Sequence, residues 1–178
     1  TRIADAMIKA QATLHLVDYK KADLSNLGRP EGFLARQLGG WTKRWNLSKT
    51  ENNQSMDDIL AWLQKDMPVS QKVSIIHNDI KPDNCQFQPD NPDLVTAIFD
   101  WDMCTLGDPL VDFGSTLSYW PDERFNRKKF PELPVTLEGD FPDKQFLIEK
   151  YQAYTGFDLS RLDWYEVFAF WKGAVIAQ

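Results

Sequence analysis

The segment VSIIHNDIKPDNCQFQ, residues 73–88, constrains the fold of this chain more than any other. Its β-branched start, Val73 to Ile76, predicts a short buried strand, and Cys85 to Gln88 predicts a second one. A loop that follows a strand has an anchored backbone, so its polar side chains can converge on one point. This loop carries three such candidates: His77, Asp79 and Asn84.

A third strand is predicted from Leu94 to Phe99, after the turn sequence PDNPD. If it pairs with the strand at 85–88 as a hairpin, the chain runs out and back, and Asp100 returns close to Asn84. An amide oxygen and a carboxylate oxygen suit Mg²⁺, which takes one or two protein oxygens together with phosphate oxygens. Asp79 is then left to accept a proton from, or to orient, a hydroxyl that attacks phosphate.

The first half of the chain otherwise predicts helices. Apolar residues three and four apart mark a helix from the first residues to Val17, in which His15 is expected to pack at an edge. After a Gly/Pro loop at 24–33, a second helical face is predicted by Leu34, Leu38, Trp41 and Trp45. Ser55 followed by Asp58 resembles a capping box and predicts the start of a third helix.

The second half contains two further helix-start signals. Asp108 followed by Pro109 is an N-cap with proline at the first helical position, which predicts a helix through Ser118. Ser160 with Asp163 predicts the cap of the last helix. Residues 121–141 are rich in proline and predict a loop, and a helix is predicted around Phe146 or Leu147, Tyr151 and Tyr154. The chain should therefore form a single α+β domain, 1–178, that is mostly helical with a small β element.

Composition excludes several classes of protein. The formal charge of −6 argues against phosphate-backbone binding, and the short basic run at 127–129 predicts a solvated loop, so we expect no nucleic-acid partner. No apolar run reaches about 18 residues, so we expect no membrane span. Cys85 and Cys104 form neither a CxxC motif nor a Cys/His array. This pattern gives no zinc signature and favours a reducing, cytoplasmic location.

Four blocks of the sequence resemble a known superfamily. HNDIKPDN is similar to the catalytic loop H-R-D-L-x-x-x-N of the protein-kinase-like fold, and FDWD stands where that fold has D-F-G. IFDWDMCTLGDPLVDFGSTLSYW resembles the aminoglycoside phosphotransferase and choline kinase superfamily. Together with LHLVDY and LGRPEGFLARQLGGW, these motifs resemble the branch that includes kinase-like domains fused to some acyl-CoA dehydrogenases. The resemblance runs from about Leu14 to Trp120.

The resemblance implies an enzyme that transfers a phosphoryl group from ATP to a small-molecule hydroxyl with Mg²⁺ as cofactor. In that case Asp79 matches the catalytic aspartate, and Asn84 and Asp100 match the two metal ligands. Lys81 matches a lysine that neutralises the transferred phosphate in protein kinases, although many antibiotic kinases lack it. His77 matches the histidine that holds the loop, and Asp112 the buried acid that braces its backbone.

The sequence also departs from the pattern. No G-x-G-x-x-G or G-x-x-x-x-G-K motif and no strand lysine with a partner glutamate is recognisable before the loop. In this superfamily those parts belong to an N-terminal lobe. We therefore expect a kinase-like C-terminal lobe with the nucleotide lobe absent from this sequence, which predicts an inactive fragment whose partner is the N-terminal lobe of the same protein. Asp102 stands where D-F-G has its glycine. It is either a third acid of the metal site or a residue that faces solvent.

Other functions remain open at this point. A protein kinase is disfavoured because only eleven residues separate Asp100 from Asp112 and no A-P-E motif follows. A two-metal phosphohydrolase is disfavoured because His77, Asp79 and Asp100 supply too few ligands. A non-catalytic binding or scaffold domain is disfavoured for the parent protein by the complete set of loop residues, but the missing nucleotide lobe keeps it open for this fragment. The acceptor stays undecided between an aminoglycoside, which suits an acidic cleft, and a hydroxyacyl compound, which suits aromatic helices.

Overall fold

The computed structural model describes residues 1–120 and 141–178. Within these residues, six α-helices surround two small antiparallel sheets. The helices are α1 (Arg2–Leu16), α2 (Phe33–Ser48), α3 (Gln54–Lys65), α4 (Pro109–Ser118), α5 (Lys144–Thr155) and α6 (Leu162–Ile176). The strands are β1 (Ser74–Ile76), β2 (Cys85–Gln88), β3 (Asn91–Ile98) and β4 (Thr105–Gly107). The predicted mixed, mostly helical fold is confirmed.

The pairing of the strands brings two loops side by side. In the first sheet β1 pairs with β4, and Ile76 lies opposite Thr105. In the second sheet β2 pairs with β3, and Cys85 lies opposite Ile98. Residues 77–84 therefore start beside the end of the segment 99–104 and finish beside its start. The two sheets thus hold the loops 77–84 and 99–104 side by side, and all the predicted loop residues lie on these two loops.

The core is dominated by aromatic side chains from the helices. Trp45, Trp120, Trp164 and Trp171 are almost completely buried, while Trp41 is only half-buried. Each of the four buried indoles donates its N–H to an oxygen, for example Trp164 to the carbonyl of Leu63 at 3.0 Å. Burying an indole is favourable when its one polar group is paired in this way. These four tryptophans therefore belong to the core, whereas Trp41 lies at its edge.

Helix α4 lies at the centre of the molecule, and its residues from Pro109 to Leu117 are all buried. It begins as predicted, because the Asp108 side chain accepts the N–H of Leu110 at 2.9 Å and Pro109 follows as the first helical residue. It packs closely on α6 at Gly114, where an added Cβ would lie 2.8 Å from the carbonyl oxygen of Tyr165. This close approach holds α4 rigidly behind the two loops.

Two predicted helix caps are wrong. Helix α3 is capped by Asn53, whose side chain accepts the N–H of Met56 at 3.2 Å, so the helix begins before Ser55. Helix α6 has no side-chain cap: its N-cap residue is Arg161, and Ser160 lies in the preceding turn, where its N–H donates to Asp158 at 2.9 Å. At α3 the error arises because Ser and Asn accept local backbone hydrogen bonds about equally well, so neighbouring candidates compete.

The strands also differ from expectation in detail. Strand β3 begins at Asn91 rather than Leu94, which shortens the predicted turn, and β4 was not predicted because three residues give no readable alternation. The predicted loop at 121–141 lies outside the described residues except for Phe141. Both cysteines are free thiols. In the described part of the chain, every helix is too short or too polar to cross a bilayer.

Candidate active site

The Asp79 carboxylate lies at the centre of the two loops and is held by three side chains. Its Oδ2 atom accepts hydrogen bonds from Lys81 Nζ and from Asn84 Nδ2, each at 2.8 Å. Its Oδ1 atom accepts a hydrogen bond from the hydroxyl of Tyr119. Asn84 Nδ2 also donates to the main-chain oxygen of Asp79 at 2.8 Å. The side chain of Asp79 is only 13 % exposed, so its orientation is fixed by these donors and not by solvent.

His77 connects the two loops through both ring nitrogens. Its Nε2 atom lies 2.8 Å from the carbonyl oxygen of Phe99, and its Nδ1 atom lies 3.2 Å from the backbone N–H of Asp79. A carbonyl can only accept and an N–H can only donate, so Nε2 carries the proton and Nδ1 is the acceptor. The fully buried ring also packs edge-on against Trp101 with centroids 4.8 Å apart. The His77 ring therefore bridges the two loops.

Asp112 braces the start of the same loop from helix α4. Its carboxylate accepts the backbone N–H of His77 at 2.8 Å and that of Asn78 at 2.9 Å. Its third partner is His15 Nε2, at 3.0 Å. Burial alone would raise the pKa of Asp112, but the hydrogen bond and charge of His15 and the backbone hydrogen bond of His77 outweigh it and lower that pKa. Asp112 is therefore a buried, ionised acceptor.

The sequence predicted that His15 packs at an edge of the helix, and this prediction is wrong. His15 is fully buried, and its second ring nitrogen lies 2.6 Å from the hydroxyl of Tyr151 on α5. Burial and the negative charge of Asp112 raise the pKa of Tyr151 well above its ordinary value, so this hydroxyl keeps its proton. Helical periodicity cannot find such a residue, because its partners come from helices far away in sequence.

Asn84 and Asp100, the two predicted metal ligands, are brought together by the hairpin. Phe99 donates its N–H to the main-chain oxygen of Asn84 at 2.8 Å, so Asp100 follows directly at the same end of the hairpin. Asp100 adopts a left-handed backbone conformation with φ 65°, which a non-glycine residue rarely does. Such strain is found preferentially at functional sites, although it does not by itself establish one.

The chemistry of this donor pair fits a hard cation. The amide nitrogen of Asn84 makes two hydrogen bonds to Asp79, which leaves its oxygen for a ligand. Asp100 is exposed, and its carboxylate accepts no hydrogen bond within residues 1–120 and 141–178. Among these residues no cluster of three or more His, Cys, Asp or Glu side chains is arranged for a metal. One amide and one carboxylate are what Mg²⁺ needs when phosphate and water complete its shell.

One face of α4 supplies further contacts that sequence reasoning missed. Asp112, Thr116 and Tyr119 are spaced by four and three residues, so they lie on the same side of the helix. Thr116 donates its hydroxyl to the carbonyl oxygen of Ile80 at 3.1 Å, and Tyr119 donates to Asp79. Helical spacing from Asp112 was the available signal, but only the position of the loop shows what this face touches.

Exposed apolar side chains surround Asp100. Phe99, Trp101 and Met103 are 51 %, 42 % and 55 % exposed. An apolar groove between α1 and β3 continues from Trp101 and is lined among others by Ala6, Ala10 and Val95. Large apolar groups beside a polar site are typical of a surface that contacts another domain or a ligand.

The fold and the arrangement of the two loops are those of the kinase-like class of folds. A model of the phosphotransferase enzyme family matches residues 1–165, and the chain belongs to this family. The resemblance seen in the sequence is thereby confirmed.

Two curated relatives are acyl-CoA dehydrogenase family members 10 and 11 of Mus musculus. The first is 29 % identical over 99 % of this chain and 17 % of its own length. The second is 30 % identical over 94 % of this chain and 22 % of its own length. This chain therefore spans about a fifth of either relative.

A solved structure supports the same conclusion about the fold. The crystal structure of a candidate aminoglycoside phosphotransferase from Ralstonia eutropha is 30 % identical, with a TM-score of 0.80. The alignment covers 98 % of this chain and 54 % of that chain.

Proposed function

We propose that this chain forms the catalytic half of an ATP-dependent phosphotransferase that moves the γ-phosphoryl group to the hydroxyl of a small molecule. The observation that carries the proposal is the carboxylate of Asp79, held by three side-chain donors beside the pair Asn84 and Asp100. Membership of the phosphotransferase family supports it. Phosphoryl transfer depends on positioning and charge, and these loops provide both.

In this proposal Asp79 orients the acceptor hydroxyl and accepts its proton. Its carboxylate is prevented from rotating by donors on both oxygens, which is the preorganisation that a general base requires. Lys81 places a positive charge 2.8 Å from Oδ2 of Asp79, close to the point of attack. A positive charge at this position favours the approach of a phosphoryl group.

Asn84 and Asp100 would hold Mg²⁺ through one amide and one carboxylate oxygen. When bound, this ion supplies neutralisation of the phosphate charges of ATP. His77 and Asp112 act indirectly, because they fix the backbone on which Asp79 and Asn84 are carried.

We propose that the nucleotide-binding lobe is supplied by another part of the same protein. The exposed side chains of Phe99, Trp101 and Met103, which flank Asp100, form the surface that this lobe would cover. The free thiols of Cys85 and Cys104 are consistent with the proposed reducing, cytoplasmic location.

The experiment uses the full-length protein that contains this chain, with Asp79→Asn, Asp100→Asn and Asp90→Asn as a matched control. Asp90 is an exposed acid in the β2–β3 turn. ATP affinity and phosphorylation are measured with a panel of aminoglycosides and hydroxyacyl compounds. Asp79→Asn should retain ATP affinity while the rate falls by roughly 10²–10⁴, the usual contribution of a general base. Asp100→Asn should weaken both ATP use and rate, and Asp90→Asn should change neither.

Two results would contradict the proposal. Turnover near the wild-type level in Asp79→Asn, with any acceptor that the wild type phosphorylates, would exclude Asp79 as the catalytic base. ATP binding without transfer to any acceptor would favour a binding or scaffold domain of kinase-like fold instead.

A further inference from the structure

We infer that Tyr119 is a positioning residue for Asp79: its hydroxyl orients the carboxylate so that the remaining lone pair of Oδ1 receives the acceptor's proton. The inference rests on the proposed function and extends it to one atom of the carboxylate. Tyr119 lies at the end of the motif IFDWDMCTLGDPLVDFGSTLSYW, but the resemblance assigns it no role.

The hydrogen bonds on the two carboxylate oxygens are unequal. Each oxygen of an ionised carboxylate has two lone pairs in its plane. Oδ2 accepts from both Lys81 and Asn84 at 2.8 Å, so both of its positions are filled. Oδ1 accepts from Tyr119, and no other donor reaches it within the described ranges. One lone pair on Oδ1 therefore remains for the hydroxyl of an acceptor.

Helix α4 fixes the position of the Tyr119 hydroxyl beside Oδ1 of Asp79. Tyr119 is the C-terminal cap residue of α4, the helix that binds the loop backbone through Asp112 and Thr116. Its ring lies 5.3 Å from Lys81 Nζ, which is itself bonded to Asp79. The same rigid helix thus fixes the backbone of the loop at one end and the carboxylate of Asp79 at the other.

The chemistry assigns Tyr119 a donor role only. Its partly buried position and the neighbouring charge of Asp79 raise the pKa of Tyr119, so the hydroxyl keeps its proton. In the transfer step the acceptor O–H proton moves to Oδ1 of Asp79. The acceptor oxygen forms a bond to the γ-phosphorus, the bond from that phosphorus to the β,γ-bridging oxygen breaks, and ADP leaves. Asp79 then releases its proton to solvent.

The test is a double-mutant cycle in the full-length protein with Tyr119→Phe, Asp79→Ala and the double variant. Alanine is chosen at 79 because asparagine would keep an oxygen for Tyr119. The matched control is Tyr154→Phe, which removes a hydroxyl of α5 that donates to Asp5 of α1 at 2.7 Å. Rates and Michaelis constants are measured for ATP and for the best acceptor.

A positioning role predicts a specific result. Tyr119→Phe should lower kcat by about 10- to 100-fold, as expected for a hydrogen bond to a charged group, while both KM values stay within about twofold. In the Asp79→Ala background the same change should alter the residual rate by less than about twofold, because the two residues act as a unit. Tyr154→Phe should behave like the wild type.

Other results would overturn the inference. An equal loss of rate in both backgrounds would mean that Tyr119 does not act through Asp79, and a raised acceptor KM with unchanged kcat would make it a binding residue. If the wild type transfers phosphate to no acceptor, the proposed function fails separately. A crystal structure of Tyr119→Phe then decides the positional claim. We expect the Asp79 carboxylate to rotate, and an unchanged carboxylate would contradict the inference.

Discussion

The carboxylate of Asp112 accepts the backbone N–H of His77 at 2.8 Å, so the first turn of helix α4 is bonded directly to the start of the candidate catalytic loop. Asn78 and His15 donate to the same carboxylate. A buried, ionised acceptor with three donors stabilises the fold and positions the loop at the same time. Any change at Asp112 should therefore affect folding before it affects chemistry.

Asp112→Ala should lower the free energy of unfolding by about 3–5 kcal/mol, because it leaves buried donors unpaired. Urea unfolding monitored by tryptophan fluorescence measures the change. The matched control is Asp163→Ala, which removes an exposed acid from the first turn of α6 and should change stability by no more than about 0.5 kcal/mol. Similar effects in the two variants would exclude a bracing role for Asp112.

The lowered pKa of Asp112 predicts a pH dependence of stability. The unfolded carboxyl titrates near about 3.9, above its pKa in the folded protein. Its contribution to stability is therefore present above about pH 4 and is lost as the pH falls toward the folded pKa. Unfolding measured between about pH 2.5 and 6 should show a shallower acid loss for Asp112→Asn than for the wild type. An equal or steeper loss in Asp112→Asn would contradict the assignment.

Two glycines should respond in opposite directions to the same substitution. Gly114→Ala places a Cβ 2.8 Å from the carbonyl oxygen of Tyr165 and should destabilise the protein by about 1–3 kcal/mol, since backbone cannot easily move away. Gly39→Ala lies at an exposed position of helix α2, with no atom of a neighbouring group within 4 Å of the new Cβ. It should stabilise by up to about 1 kcal/mol through helix propensity. Thermal unfolding of both variants checks the sign, and destabilisation at Gly39 would contradict the packing argument.

Local patterns predicted much of the fold. The β-branched run before His77, the hairpin pattern after Asn84 and the Asp108-Pro109 cap each depend on residues adjacent in sequence. They were sufficient to place Asp79 on a loop between strands and to return Asp100 near Asn84. The family resemblance added their proposed roles and the bracing role of Asp112.

Long-range contacts could not be predicted. The bond from Tyr119 to Asp79 spans 40 residues and the one from His15 to Asp112 spans 97, and no local pattern encodes either. The buried position of His15 depends on α5, and the strand β4 becomes regular only because β1 lies beside it. These features arise from tertiary packing, which overrides local propensity.

The last prediction concerns metal binding in the absence of nucleotide. Asn84 and Asp100 offer two protein oxygens, whereas Mg²⁺ requires six ligands and gives up water reluctantly. Mg²⁺ or Mn²⁺ alone should therefore bind this chain with a Kd on the order of a millimolar or weaker, and Asp100→Ala should remove the binding. Asp90→Ala, at the other end of the hairpin, should leave it unchanged. Isothermal titration calorimetry on the three proteins measures these affinities. Sub-micromolar binding that survives Asp100→Ala would mean that the cation is held elsewhere, and the pairing of Asn84 with Asp100 would then lose its role as a metal site.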